Sequence, residues 1–196
     1  EYLMSKSSKG EKGQFFTPRY VIEMCVRMLN PHENEKMIDT ACGSSGFPVH
    51  TIFNVWDKMA EAEGRPKGEL FSLDRKPDTY TEYVKDNIFG IDFDEKAVRV
   101  ARTLNLIAGD GHTNVLHLNT LDYDRWDETA KQDDWMRIYH EGFYRLKELQ
   151  RGKGYREFDF DIVMANPPFA GDIKETRILG RYELGKNDKG KTQKKV

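Results

Sequence analysis

Four short apolar runs, separated by helical periodicity, constrain this chain more than any other feature. They are Lys36-Met37-Ile38, Asn87-Ile88-Phe89-Gly90-Ile91, Val115-Leu116-His117-Leu118 and Phe160 to Ala165. Strands that alternate with helices argue for an α/β layer fold built on a mainly parallel sheet. The first two runs lead into Asp39 and Asp92, and the last into Asn166-Pro167-Pro168-Phe169. In open α/β sheets ligands bind outside the carboxyl ends of the strands, so these residues are the first candidates for chemistry.

Residues 1–16 read as an extended polar arm. Thr17-Pro18 predicts a helix start, with Thr17 as N-cap and Pro18 at the first helical position. Val21, Ile22, Cys25, Met28 and Leu29 then share one face, and Asn30-Pro31 ends the helix. A second helix is predicted from near Phe47-Pro48 to about Ala62. The polar stretch from Glu63 to Lys85 is an insertion without clear periodicity. Asp94 is placed to cap a helix carrying Ala97, Val100, Ala101, Leu104 and Ala108 at helical spacing. Residues 122–157 read as a long charged insertion, and residues 171–196 as a mobile Gly/Lys-rich segment. The expected division is an arm at 1–16, a catalytic domain at 17–170, and that segment.

The 196 residues suffice for one domain with a real core. No apolar run approaches the roughly 18 residues that span a membrane. The start is not a secretory signal, and the absence of an initiator Met suggests a cut from a longer chain. Two cysteines, Cys25 and Cys42, give no disulfide framework, which points to a cytoplasmic setting. The net charge of −2 is not that of a stand-alone DNA binder. A nucleic-acid substrate would therefore need phosphate contacts from a partner or a further segment.

Two prolines after an apolar run cannot continue a ladder and turn the chain outward. The Asn166 side-chain oxygen and the Pro167 carbonyl can together accept the two hydrogens of an exocyclic amino group. Phe169 can stack on the ring that carries it. The bland alternative is a strand-end turn capped by Asn. In Asp39 to Gly46, two glycines three apart bring backbone close to something. Only Gly43 and Gly46 fit the dinucleotide fingerprint, so a ligand without phosphates suits the loop better. S-adenosylmethionine is such a ligand, and Asp39 is placed to accept its ammonium group; an ordinary βα turn remains the alternative. Asp92 can accept ribose hydroxyls or serve as a second capping acid. Gly13-Gln14-Phe15-Phe16-Thr17-Pro18 is either a hydrophobic staple on the first helix or a flap over a ligand.

Taken in order, Gly13–Pro18, Asp39-Thr40-Ala41-Cys42-Gly43-Ser44-Ser45-Gly46-Phe47, Gly90-Ile91-Asp92 and Asn166–Phe169 resemble the adenine-N6 DNA methyltransferases. Within them the chain is most similar to the modification subunit of type I restriction–modification systems. The resemblance implies a Rossmann-like S-adenosylmethionine-dependent methyltransferase fold, incomplete in a piece of this length. It implies that Phe16, Thr17 and Pro18 line the methionine end of the cofactor. Asp39, Ala41, Gly43 and Gly46 would form the loop around it, and Asp92 would hold the ribose. Asn119 stands where the family often has an Asp that contacts the cofactor's adenine. Asn166, Pro167, Pro168 and Phe169 would form the catalytic turn. Implied partners are double-stranded DNA, a specificity subunit and, in the assembled system, a restriction subunit. The isolated piece is expected to be inactive.

The amino chemistry needs no metal, and no His/Cys cluster has ligand spacing. Cytosine C5 methylation needs a thiolate, and neither Cys25 nor Cys42 stands in the catalytic turn. Cytosine N4 methylation uses similar chemistry, but an Asn start and Phe end favour adenine. A protein-glutamine methyltransferase has a similar turn, and the Gly13–Pro18 segment argues against it. A non-catalytic scaffold that binds cofactor or a subunit is the rival from another class.

Overall fold

The computed structural model describes residues 16–66, 68–108, 114–150, 157–168, 173, 175–187 and 190–192. Two compact units are present, Thr17–Asn166 and a second made of Glu1–Phe16 with Pro167–Val196.

In the larger unit, the strands β1 (Met37–Asp39), β2 (Ile88–Asp92), β3 (Val115–His117) and β4 (Ile162–Val163) form one sheet in the order β3-β2-β1-β4. Every pairing among them is parallel. The helices are α1 (Arg19–Leu29), α2 (Gly46–Ala62), α3 (Glu69–Ser72), α4 (Asp78–Asn87), α5 (Glu95–Ala108), α6 (Trp126–Thr129) and α7 (Asp133–Glu148). The Glu63–Lys85 stretch thus holds α3 and most of α4, where the sequence showed no period.

Neighbouring residues of a strand point to opposite faces, and the core divides accordingly. Met37 and Ile88 join Ile22 and Val26 of α1, Ile52, Val55 and Trp56 of α2, and Tyr80 and Val84 of α4. Ile38 and Phe89 join Val98 and Ala101 of α5 and Trp135, Tyr139, Phe143 and Leu146 of α7. α7 lies inside the stretch read as a charged insertion. Its buried stripe is aromatic at helical spacing, within a helix otherwise rich in charge, and Gly142 allows close packing on Leu116.

Three local expectations are corrected. The residue that precedes α1 is Pro18, so Thr17 is not its N-cap, and no side chain caps that end. Ile22 and Val26 are the buried residues of α1, while Met28 and Leu29 are 77% and 50% exposed because packing on α2 selects the earlier stripe. The apolar run from Ile162 to Ala165 predicts a buried strand. Ile162 and Met164 are buried but Val163 and Ala165 are exposed, because β4 ends the sheet order and only one of its faces packs on the core.

In the smaller unit the described part of the expected mobile segment contains α8 (Thr176–Leu179), a 3₁₀ turn at Glu183–Gly185 and an antiparallel bridge between Lys186 and Thr192. Among the described residues no helix is long and apolar enough to cross a membrane.

Candidate active site

The strand order makes the chain turn back at one place. β1, β2 and β3 proceed in one direction across the sheet, and β4 returns to the other side of β1. The carboxyl ends of β1 and β4 therefore flank the switch point, where an open α/β sheet leaves a crevice. Met37 is in register with Ile162 and Ile38 with Val163, so the Asp39 loop and Asn166 leave the sheet at the same edge on adjacent strands.

The loop after β1 is held by β2. The Cys42 amide donates to the Ile91 carbonyl at 2.9 Å, and the Gly43 amide donates to Asp92 Oδ2 at 2.8 Å. Asp92 Oδ1 accepts the Asp94 amide at 2.8 Å. Asp94 in turn accepts the Lys96 amide at 3.0 Å and starts α5. Asp92 thus braces the loop after β1 and the exit of β2 together, while remaining half-buried. Gly90 permits this approach, since a Cβ there would stand 3.2 Å from Cys42 Sγ. Asp92→Asn keeps one acceptor and loses the other. We expect it to lower stability by about 1.5–3 kcal/mol, the range for a bond to a charged group. Urea denaturation of the two proteins reads this directly.

Asp39 is 2% exposed, and its Oδ1 accepts the Ala41 amide at 3.0 Å. Burial, with a smaller push from the Asp92 charge, raises its pKa from 3.8 to about 7 against the lowering by the Ala41 bond. No Lys or Arg pairs with it among the described residues. Native protein holds a proton here that unfolded protein has lost, so this contribution to stability falls as pH rises from about 4 to about 7. A buried carboxyl without a counter-cation fits a ligand that brings its own ammonium group. Such a cation would pull the pKa down and expel the proton. Calorimetry at pH 7 in buffers of different ionisation enthalpy should show release of about half a proton per cofactor bound.

Gly43 has φ +51°, a left-handed conformation that favours glycine, and Ser45 follows at φ +68°. Ser45 is fully buried, and its hydroxyl has no hydrogen-bond partner among the described residues. A non-glycine residue held in this region is local strain of the kind that collects at ligand sites. Nothing in the sequence pattern singled Ser45 out. Gly46 opens α2, and a Cβ there would stand 2.7 Å from Ile22 Cδ1 of α1. Burial and the neighbouring Asp39 and Asp92 charges push the Cys42 thiol well above its ordinary range, so it is no nucleophile.

Asn119 uses its Oδ1 to accept the Leu121 amide at 3.0 Å, capping the 3₁₀ turn Thr120–Arg125. Thr120 ties that turn to the loop by donating to the Thr40 carbonyl at 2.8 Å. Phe93, next to Asp92, is 70% exposed. Its place in the sequence carries no pattern that marks it out.

At the end of β4, Asn166 Nδ2 donates to Thr17 Oγ1 at 3.0 Å. Residues 149 apart in the chain are joined by this bond, and sequence patterns give no sign of it. Pro18 lies beside Thr17 on the surface. Phe16, half exposed, and the exposed Pro167 and Pro168 belong to the smaller unit. Phe169 lies outside the described residues. Among the described residues no group of three or more His, Cys, Asp or Glu could hold a metal ion.

The profile of the N-6 DNA methylase family matches residues 1–193. The type I restriction enzyme EcoEI methylase subunit of Escherichia coli is 23% identical over 174 residues, which cover 87% of this chain and 26% of that protein. The type II restriction enzyme and methyltransferase RM.BcgI of Heyndrickxia coagulans is 25% identical over 113 residues, 57% of this chain and 15% of that protein. The chain thus spans about a quarter or less of these curated relatives. Among solved structures, a modification subunit of a putative type I restriction enzyme from Vibrio vulnificus YJ016 superposes with a TM-score of 0.57 at 21% identity, covering 96% of this chain and 29% of that one. That likeness concerns the fold, whereas the profile match takes in nearly the whole sequence, and on it the chain belongs to the N-6 DNA methylase family.

Proposed function

We propose that this chain carries the cofactor loop and catalytic turn of a type I restriction–modification methyltransferase that methylates adenine N6 in DNA. The observation that carries the reading is the exit of Asn166 and of the Asp39–Gly46 loop at the same sheet edge, on adjacent strands flanking the switch point. S-adenosylmethionine fits the loop by its chemistry and would supply a methyl group on a sulfonium. Asp39 would take its ammonium, Asp92 its ribose hydroxyls, and the loop backbone at Ala41, Gly43 and Gly46 would enclose it, with Thr17 and Pro18 at the methionine end. Asn119 and Phe93 would meet the adenine moiety, and Phe16 would join Thr17 and Pro18 at the methionine end.

An adenine amino nitrogen is a poor nucleophile because its lone pair is delocalised into the ring. Asn166 Oδ1 and the Pro167 carbonyl would accept its two hydrogens and turn the lone pair out of the ring plane. Alignment and electrostatics then supply most of the rate. The base has to leave the duplex, and Phe169 would stack on it, with Pro168 stiffening the turn. Double-stranded DNA is the substrate in this reading, a specificity subunit and a restriction subunit are the partners, and the setting is cytoplasmic. Methyl transfer from tritiated S-adenosylmethionine to unmethylated DNA, by the complete protein with its specificity subunit, tests it. Cofactor binding without transfer would leave the scaffold reading instead.

A further inference from the structure

We infer that Thr17 is a positioning residue that sets the orientation of the Asn166 amide, an inference that rests on the catalytic assignment above. An Asn side chain presents two acceptor lone pairs at one end and two donors at the other. Only the acceptor end helps methyl transfer, since an NH2 turned toward an adenine amino group would set donor against donor. The amide joins Cγ through a terminal torsion that is broad and roughly two-fold, so the strand alone does not choose between the ends. In this structure Nδ2 donates to Thr17 Oγ1 at 3.0 Å with Oδ1 facing away from Thr17; a hydroxyl can also donate, so what Thr17 supplies is the tether that holds the amide in this arrangement. Both residues are half-buried, which limits competition from water.

The backbone supports this role. Thr17 precedes Pro18, whose carbonyl accepts the Val21 and Ile22 amides at 2.9 and 3.2 Å as α1 begins. Ile22 is buried in the core with Phe47 of α2, so the Thr17 hydroxyl stands on an anchored helix start. A residue before proline is held in extended conformation, which fixes its direction further. The Met164 amide donates to the Ile38 carbonyl at 3.1 Å, which anchors the other side two residues before Asn166. The Thr–Pro pair read from sequence as a helix cap therefore serves the far end of the chain.

Thr17→Val is nearly isosteric and removes the hydroxyl, while Thr17→Ser keeps it. The experiment uses the complete protein with its specificity subunit. It measures the single-turnover methyl-transfer rate at saturating S-adenosylmethionine and, separately, the cofactor Kd by calorimetry. Positioning predicts that Thr17→Val lowers the rate at saturating S-adenosylmethionine by about 10-fold or more, over and above any change in Kd from the proposed contact at the methionine end. Thr17→Ser should restore most of the rate. Added to Asn166→Ala, Thr17→Val should cost less than about two-fold further, because the amide it orients is gone. A normal rate in Thr17→Val, or a loss confined to Kd, overturns the inference. A second readout is free of catalysis: the Asn166 side-chain NH2 signal in protein labelled with ¹⁵N-asparagine, assigned by its loss in Asn166→Ala. That signal should shift in Thr17→Val and return in Thr17→Ser, and an unmoved signal overturns the inference. Inactive wild-type protein with a Thr17-dependent signal would count against the methyltransferase reading while upholding the amide geometry.

Discussion

Asn166→Ala should reduce the turnover number for methyl transfer by about 100-fold or more while leaving cofactor affinity nearly unchanged. The reason is positional. The side chain leaves β4 across the switch point from the Asp39 loop, and its bonded neighbour is Thr17. The proposed cofactor contacts lie on β1, on β2 and at the start of α1, so truncating Asn166 removes none of them. In the proposed mechanism, what is lost is one of two acceptors for the amino hydrogens, a contact that would strengthen as the lone pair leaves the ring. Interactions made more strongly in the transition state appear in the turnover number and not in ground-state affinity. Stability should change little, because Asn166 is half-buried on a strand with one face uncovered. Steady-state kinetics on adenine-containing duplex DNA, beside a calorimetric Kd, checks both halves. Equal losses in affinity and turnover would show that Asn166 supports the loop and not the chemistry.

Trp56→Ala should have the largest effect on stability, about 3–5 kcal/mol. Trp56 is 0% exposed on α2 and packs edge-on against Tyr80 of α4, with ring centroids 6.2 Å apart at 75°. Its Nε1 donates to the Tyr80 carbonyl at 3.0 Å. Truncation opens a cavity between two helices and also strips a buried carbonyl of its donor. For a chain near this size each kcal/mol moves the melting temperature by roughly 2–4 °C, so a fall of about 6–20 °C is expected in a thermal scan. Trp56→Phe keeps most of the ring and loses the N–H, so its loss should be nearer the roughly 1–3 kcal/mol of an unsatisfied polar group. Near-equal losses in the two variants would place the energy in the hydrogen bond and not in the packing.

The strand ends were legible in the sequence because a polar residue follows each apolar run, and Asp39, Asp92 and Asn166 stand at those exits. The parallel sheet followed from the strand–helix alternation. α7 was not legible because Trp135, Tyr139, Phe143 and Leu146 are spaced among charged residues that dominate a linear reading. Bonds across the sheet were hidden for a different reason. Asp92 accepts from Gly43, 49 residues earlier, and Asn166 donates to Thr17, 149 residues earlier. Local patterns assign such side chains to the nearest helix start, as happened with Thr17. Only the folded sheet brings the true partners together, and the left-handed Ser45 is likewise a property of the folded loop.

Nucleoside mass spectrometry of DNA methylated by the complete protein and its specificity subunit tests the central claim most directly. With S-adenosylmethionine deuterated at its methyl group, the account predicts label on N6-methyladenine, no label on N4-methylcytosine or 5-methylcytosine, and label near background for Asn166→Ala. Label on a cytosine, on protein glutamine, or unchanged on adenine in the Asn166 variant would contradict it.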